Sequence, residues 1–204
     1  VFITTKLRRG DAVGYEETIE QCKISLELLD TEYIDLYLVH APPLDPSHRA
    51  PVWKAMEYCL EQGWVKSIGV SNYGVEHLDA MKKYANYMPS VNQVEYNPWL
   101  QRPHLKKATE DSGAKIMAYS PLARGHRVDD PELGAIAERL GCTPAQVAIK
   151  FCYDQGCITI PKSSNPSRII ENIASLDIDI SSEMDAITAL DEDYVSGWDP
   201  TTEP

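Results

Sequence analysis

Short runs of consecutive apolar residues alternate along the chain with longer segments in which apolar residues recur every three to four positions. The short runs are rich in β-branched and aromatic residues and mostly lack a two-residue alternation, which is typical of strands buried on both faces. We predict six strands, over Val1–Lys6, Tyr33–His40, Val65–Asn72, Ser90–Asn97, Ala114–Leu122 and Cys157–Ser163.

The segments between these strands carry the spacing of amphipathic helices. An early apolar stripe holds Ile19, Cys22, Leu26 and Leu29, and a second one begins at Val75. Thr143 before Pro144, and Asn165 before Pro166, match the residue types that cap and then begin a helix. The later helices are predicted over Pro103–Asp111, Pro144–Asp154, Pro166–Ala174 and Ser181–Leu190.

Strands that alternate with helices predict a parallel sheet with right-handed crossovers. Six βα units of about 30 residues each fit an open doubly wound sheet. They fit equally well three quarters of an eight-stranded barrel. The spacing of the elements alone leaves both architectures open.

Polar side chains mark the carboxyl end of every predicted strand. Five strands end in Lys6, His40, Ser71-Asn72, Tyr119-Ser120 and Lys162-Ser163, and the fourth strand carries Gln93 with Glu95 and Asn97 beyond it. A doubly wound sheet concentrates its site at one switch point, whereas a (β/α)₈ barrel assembles its site from the ends of many strands. The pattern therefore favours the barrel.

A candidate anion site surrounds the start of the last long helix. Lys162 follows a strand and Arg168 lies in the first turn of the helix that Asn165 and Pro166 begin. A helix N-terminus attracts anions, and a guanidinium can grip a phosphate with two hydrogen bonds. A surface salt-bridge pair is the alternative explanation of the two cations. No G-x-G-x-x-G motif is present, which argues against a Rossmann nucleotide site.

Several phrases of the sequence together resemble the aldo-keto reductase family, and the resemblance extends over essentially the whole chain in the family's order and spacing. The phrases are Thr4-Thr5-Lys6, residues 35–42 (DLYLVHAP), residues 63–72 (GWVKSIGVSN), residues 92–96 (NQVEY), residues 118–122 (AYSPL), residues 160–163 (IPKS), and then Arg168, Glu171 and Asn172. The resemblance implies an α/β fold of the (β/α)₈ TIM-barrel type. It also implies NADPH-dependent reduction of aldehydes or ketones to alcohols, with a small-molecule carbonyl compound as substrate.

The same resemblance assigns two catalytic roles. Lys6 matches the family's Lys, which lowers the pKa of a proton-donating Tyr, and His40 matches the His that orients the substrate carbonyl. The Tyr and its partner Asp belong, in the family, to the two βα units that precede the first strand here. We found no counterpart of those units, so we expect a single barrel domain over residues 1–204 that supplies about the last six units. The chain alone is then expected to be inactive.

The cofactor residues implied by the resemblance are more complete. Ser71, Asn72 and Gln93 match the side chains that hold the nicotinamide carboxamide, and Tyr119 matches the aromatic residue stacked on the nicotinamide ring. The pyrophosphate and adenosine 2′-phosphate site is matched by Ser120, Leu122, Lys162, Ser163, Asn165, Arg168, Glu171 and Asn172.

Composition narrows the possible partners. The chain has 19 basic and 31 acidic residues, for a net charge of −12, which makes nucleic acid an unsuitable partner. No apolar run reaches the roughly 18 residues that a membrane span requires. The five cysteines form no C-x-x-C pair, so we expect reduced thiols, a cytoplasmic location and no metal site. We also expect a monomer.

The alternative function is a non-catalytic NADP(H)-binding barrel that senses redox state or assembles with a channel.

Overall fold

The computed structural model describes residues 1–203, which form six β-strands and eight α-helices joined by short turns. The strands are β1 (Thr4–Leu7), β2 (Leu36–Val39), β3 (Ile68–Ser71), β4 (Val91–Glu95), β5 (Lys115–Tyr119) and β6 (Ile158–Thr159). The helices are α1 (Tyr15–Leu29), α2 (Arg49–Glu61), α3 (Val75–Met81), α4 (Pro103–Asp111), α5 (Pro131–Leu140), α6 (Pro144–Asp154), α7 (Pro166–Ala174) and α8 (Met184–Thr188).

The strands follow one another in the sheet in the same order as along the chain, β1-β2-β3-β4-β5-β6. Their pairing is parallel, with Lys6 opposite Leu38, Val39 opposite Val70, and Met117 opposite Ile158. A doubly wound sheet reverses its strand order at a switch point, whereas a (β/α)₈ barrel keeps it sequential. The observed order is therefore the barrel order.

Two of the helices that match their predicted bounds, α6 and α7, begin at side-chain caps. Helices α4, α6 and α7 have the predicted bounds, and the predicted helix Ser181–Leu190 is instead a 3₁₀ turn over Ser181–Glu183 followed by α8. Each predicted strand is shorter in the structure, and β6 keeps only two residues. Lys162 and Ser163 consequently lie in the loop between β6 and α7 rather than in a strand.

The described chain forms two compact units. Unit 1 comprises residues 1–93, 107–115 and 199–203, and unit 2 comprises residues 94–106 and 116–198. In unit 1, α1 packs on α2, and every residue of β2 and β3 is buried. In unit 2, the buried face of α6 forms the core, where the Phe151 ring stacks on Tyr96 at 6.3 Å. That residues 1–204 form one barrel domain stays a prediction.

Helix α7 presents apolar side chains to solvent. Ile170 is 71% exposed and Ile173 is 66% exposed, and no residue of this helix is fully buried.

No helix among residues 1–203 is long and apolar enough to cross a lipid bilayer. Among residues 1–203 the five cysteines form no disulfide, and no cluster of His, Cys, Asp and Glu is suited to hold a metal ion.

Candidate active site

The catalytic candidates of unit 1 occupy the carboxyl ends of neighbouring strands. Lys6 lies near the end of β1, and His40 directly follows β2, with its backbone N–H bonded to the Leu7 carbonyl at 3.0 Å. Ser71 ends β3 and is paired in register with Gln93 of β4. The parallel pairing therefore brings these four predicted residues together at the carboxyl ends of the strands of unit 1.

The backbone beyond β3 is held by side-chain hydrogen bonds. Asn72 adopts a left-handed conformation with φ of 60°, which Asn tolerates better than most residues. Its Nδ2 donates to the His40 carbonyl oxygen at 3.0 Å and to Ser71 Oγ at 3.2 Å. Ser71 Oγ in turn donates to the Gln93 carbonyl oxygen at 2.7 Å. One network thus joins His40 to all three residues that the sequence assigns to the nicotinamide carboxamide.

Asn92 was missed by the sequence analysis, although it directly precedes Gln93. Its buried amide brackets the backbone of Tyr73, accepting from the Tyr73 N–H at 3.3 Å and donating to the Tyr73 carbonyl oxygen at 2.8 Å. The segment that begins with Asn72 is therefore fixed from both sides. A polar residue at an inward position of a buried strand is the only signal in the sequence for this role.

The charges near His40 favour its neutral form. Burial, and then the nearby Lys6 ammonium, lower the pKa of His40 below its ordinary value, and burial also lowers the pKa of Lys6. The unfolded chain binds a proton at His40 more readily than the folded chain does. His40 thus destabilises the fold as the pH falls from about 6.5 toward its folded pKa, and it has no such effect above that range. At neutral pH the imidazole is a neutral hydrogen-bond donor.

Replacement of Lys6 by Met should raise the pKa of His40 because it removes a neighbouring positive charge. The pKa should remain below about 6.5, since burial continues to disfavour the imidazolium. An NMR titration of the imidazole signals measures this directly. Lys66→Met provides the control, because Lys66 lies over the Tyr33 ring and is exposed. An unchanged His40 pKa in Lys6→Met would contradict the electrostatic coupling of the two side chains.

The predicted cofactor residues of unit 2 line two adjoining clefts. The first has a volume of about 460 Å³ and the second about 530 Å³, and both are bordered by Leu122, Lys162 and Arg168. Ser163, Glu171 and Asn172 line the first cleft, whereas Tyr119 and Ser120 line the second. Eight of the nine residues that the sequence places in this part of the site therefore meet around connected space.

Asn165 is the ninth residue, and its side chain caps helix α7 instead of lining a cleft. Its Oδ1 accepts hydrogen bonds from the backbone N–H groups of Ser167 and Arg168, at 2.9 and 3.4 Å, and so caps α7. Ser163 Oγ accepts from the Asn165 N–H at 3.1 Å. The predicted cap is confirmed, and Asn165 does not line either cleft.

Neither cation of the cleft pairs with a carboxylate of residues 1–203. Within residues 1–203, the side chains of Lys162 and Arg168 make no ion pair or hydrogen bond, so the salt-bridge alternative is wrong for the described chain. The nearby acid, Glu171, instead accepts a hydrogen bond from the Thr143 hydroxyl at 2.5 Å. Two cations, one of them in the first turn of α7, thus border one cleft, an arrangement that suits a phosphate dianion.

Comparison with known proteins decides the family. The model of the Aldo/keto reductase family matches residues 1–192, which is nearly the whole chain. The chain belongs to the aldo/keto reductase family.

Two enzymes illustrate the relationship of this aldo/keto reductase to named relatives. It is 40% identical to the glyoxal reductase of Bacillus subtilis over 201 residues, which cover 98% of this chain and 72% of the relative. It is also 40% identical to the 9,11-endoperoxide prostaglandin H2 reductase of Trypanosoma cruzi over 204 residues, covering 98% of this chain and 71% of that protein.

Solved structures of the family have the same fold. An aldo/keto reductase of Brucella melitensis superposes with a TM-score of 0.88 at 38% identity, over 94% of this chain and 74% of the other. An aldo-keto reductase of Bombyx mori, solved in complex with NADP, gives 0.87 at 31% identity over 96% of this chain and 69% of the other. The predicted α/β fold of the (β/α)₈ type is thereby confirmed for this aldo/keto reductase.

Proposed function

We propose that this aldo/keto reductase is an oxidoreductase that uses NADPH to reduce small-molecule aldehydes or ketones to alcohols. The observation that carries the proposal is the pair of clefts in unit 2, where Lys162 and Arg168 lack acidic partners within the described chain. The NADP complex of the Bombyx mori relative supports the same cofactor. A reductase that binds NADPH rather than NADH must hold the 2′-phosphate, which needs this kind of positive site.

The residues fit the phosphate end of the cofactor. Arg168 and Lys162 would hold the 2′-phosphate, and the Ser163 hydroxyl adds a hydrogen-bond donor at the same end. Ser120 and Leu122 would adjoin the pyrophosphate. Glu171 and Asn172 would border the adenosine. Each of these assignments follows the family resemblance, and the clefts give them a common location in unit 2.

Unit 1 carries the groups that would act on the carbonyl. When bound, NADPH supplies the hydride. The family resemblance assigns Asn72, Ser71 and Gln93 to the carboxamide and Tyr119 to the nicotinamide ring. His40 is neutral near pH 7 and would donate a hydrogen bond to the carbonyl oxygen, which stabilises the negative charge that develops there. The hydrogen bond from Asn72 Nδ2 to the His40 backbone fixes the start of this segment.

Binding measurements with NADPH, NADH and adenosine 2′,5′-bisphosphate test the proposal. NADPH and adenosine 2′,5′-bisphosphate should both bind, and NADH should bind more weakly, because only the first two carry the 2′-phosphate. The protein that also contains the family's Asp and Tyr should oxidise NADPH when an aldehyde is added. Equal affinity for NADPH and NADH would contradict the assignment of Lys162 and Arg168. Tight NADPH binding without turnover in that longer protein would favour the non-catalytic redox-sensing or channel-associated barrel.

A further inference from the structure

Two of the five cysteines meet where α1 packs on α2 in unit 1. Cys22 belongs to the buried face of α1, together with Thr18 and Ile19. Cys59 belongs to the buried face of α2, together with Met56. Residues three or four positions apart on a helix share one face, so each thiol projects from its helix toward the other helix. Both side chains are fully buried.

The two thiols are in direct contact, because their side chains form a hydrogen bond with each other. That hydrogen bond lowers the pKa of Cys22 despite its burial. Donating the hydrogen bond, and then burial, raise the pKa of Cys59. The thiolate is the reactive form of cysteine, so Cys22 is the nucleophile of the pair. The sulfur atoms of a disulfide are about 2 Å apart, which hydrogen-bonded thiols reach with a small movement.

Tyr37 of β2 lies beside the same two thiols. Its side chain is fully buried. Burial, and then the proximity of Cys22, raise the pKa of the Tyr37 hydroxyl, and Cys59 acts in the same direction. Two helices and a strand therefore converge on the thiol pair. Close packing on several sides leaves the two sulfur atoms little freedom to separate.

The cysteines of unit 2 are in different surroundings. The Cys152 thiol is buried and donates a hydrogen bond to the Tyr96 carbonyl oxygen at 3.5 Å. Cys142 is half-buried in the turn that follows α5. Burial raises the pKa of both thiols, which disfavours their reactive thiolate forms. Proximity and a stabilised thiolate therefore distinguish Cys22 and Cys59 from these two residues.

We propose that Cys22 and Cys59 are a redox-active dithiol, which hydrogen peroxide converts into a disulfide that ties α1 to α2. The crosslink closes a loop of about 40 residues, which lowers the entropy of the unfolded chain and stabilises the fold. Because both thiols are buried, the peroxide reaches them only during transient opening of the helices, and the oxidation is slow. Neither cysteine lines the cofactor clefts, so the dithiol is independent of the proposed function.

The oxidation consumes one peroxide molecule for each disulfide. The Cys22 thiolate attacks a peroxide oxygen, the O–O bond breaks, and the departing hydroxide takes up a proton to become water. Cys22 is then a sulfenic acid. The Cys59 sulfur attacks the Cys22 sulfur, the S–O bond breaks, and the departing hydroxide takes the Cys59 proton to form a second water. The two thiols lose two electrons, and the peroxide gains them.

Peptide mapping of residues 1–204 after treatment with hydrogen peroxide tests the site. The peptides that contain Cys22 and Cys59 should become joined, with the loss of two hydrogen atoms, and dithiothreitol should separate them. In concentrated urea this pairing should lose its preference, because the unfolded chain no longer holds the two thiols together. Free thiols at both positions after prolonged treatment would overturn the proposal. The same mixture of cysteine pairs with and without urea would overturn it as well.

Thermal unfolding measures the stabilisation. The oxidised protein should unfold at a temperature about 4–16 °C higher than the reduced protein, as expected for a disulfide in a chain of this size. The shift should vanish in Cys59→Ala and remain in Cys142→Ala, which removes a thiol outside the pair. Each variant is compared with itself before and after peroxide, so a loss of packing does not enter the shift. A shift that persists in Cys59→Ala, or a joined peptide without a shift, would overturn the stabilising crosslink.

Discussion

Residues 1–204 expressed alone should bind NADPH but oxidise it, in the presence of an aldehyde, no faster than the uncatalysed background. Hydride addition to a carbonyl requires a proton at the oxygen, and the prediction rests on the expectation that the family's proton-donating Tyr lies outside residues 1–204. Positioned proton transfer accelerates such reactions about 10²–10⁴-fold. His40 can donate a hydrogen bond to the oxygen, but without the Tyr that Lys6 would assist it should not replace the proton donor.

A matched pair of proteins provides the test. One is residues 1–204, and the other is the same sequence preceded by two βα units that carry the family's Asp and Tyr. The longer protein should turn over at least about 10²-fold faster. Replacement of its added Tyr by Phe should remove that gain. Comparable rates in the two proteins would mean that a side chain within residues 1–204, such as His40 or Tyr119, serves as the acid.

The physical state of the short protein must be checked in the same experiment. Ile170 and Ile173 expose large apolar surfaces on α7, and exposed apolar patches promote association. Although the sequence analysis expects a monomer, this apolar surface should produce higher oligomers of residues 1–204 in size-exclusion chromatography, and the double substitution Ile170→Glu with Ile173→Glu should reduce them. Loss of turnover is attributable to chemistry only if the short protein still binds NADPH.

Arg168→Ala should weaken NADPH binding by about 1.5–3 kcal/mol, or roughly 10- to 150-fold, the range for hydrogen bonds to a charged group. Binding of NADH should change by less than about twofold, because NADH has no phosphate for the guanidinium to contact. The Arg168 side chain has no other partner within residues 1–203, so its removal should cost the fold little.

Fluorescence titration of both cofactors measures the difference. Arg139→Ala is the matched control, since Arg139 is an exposed arginine of the same unit whose partner is Glu183. That variant should leave the affinities for NADPH and NADH unchanged. Equal losses for the two cofactors in Arg168→Ala would place Arg168 away from the 2′-phosphate and would require a different explanation of the cleft cations.

Features controlled by local chemistry were predictable from the sequence. Helices α6 and α7 begin where a capping side chain precedes a proline, and the caps of Thr143 and Asn165 form as predicted. Helix α5 carries the same signal in Asp130 and Pro131, so the sequence contained it although the analysis did not name it. The six strands also follow from apolar patterning, because a strand buried on both faces must be apolar along its length, but the patterning left open whether the strands pair in sequential order.

The sequence predicted which residues lie near the strand ends. It did not predict which of them line the clefts and which cap a helix. Family resemblance assigned Lys162, Arg168 and Asn165 to one phosphate site. Only the structure shows that the Asn165 side chain caps α7 while the two cations border the cleft. An Asn can serve either as a helix cap or as a ligand-binding residue, and the sequence does not distinguish the two roles. The difference lies in where the side-chain oxygen points.

Contacts between distant segments were decided by the tertiary structure alone. Glu95 and Ser196 are 101 residues apart along the chain, and the ties from Arg127 to Glu192 and Tyr194 also join separate elements. No periodicity or capping rule connects such positions, because those rules act within a few residues of the backbone. The sequence by itself therefore determined the elements, their order and the chemistry at their ends. The packing of one segment on another determined which of those residues line the clefts and which distant segments contact the cleft lining.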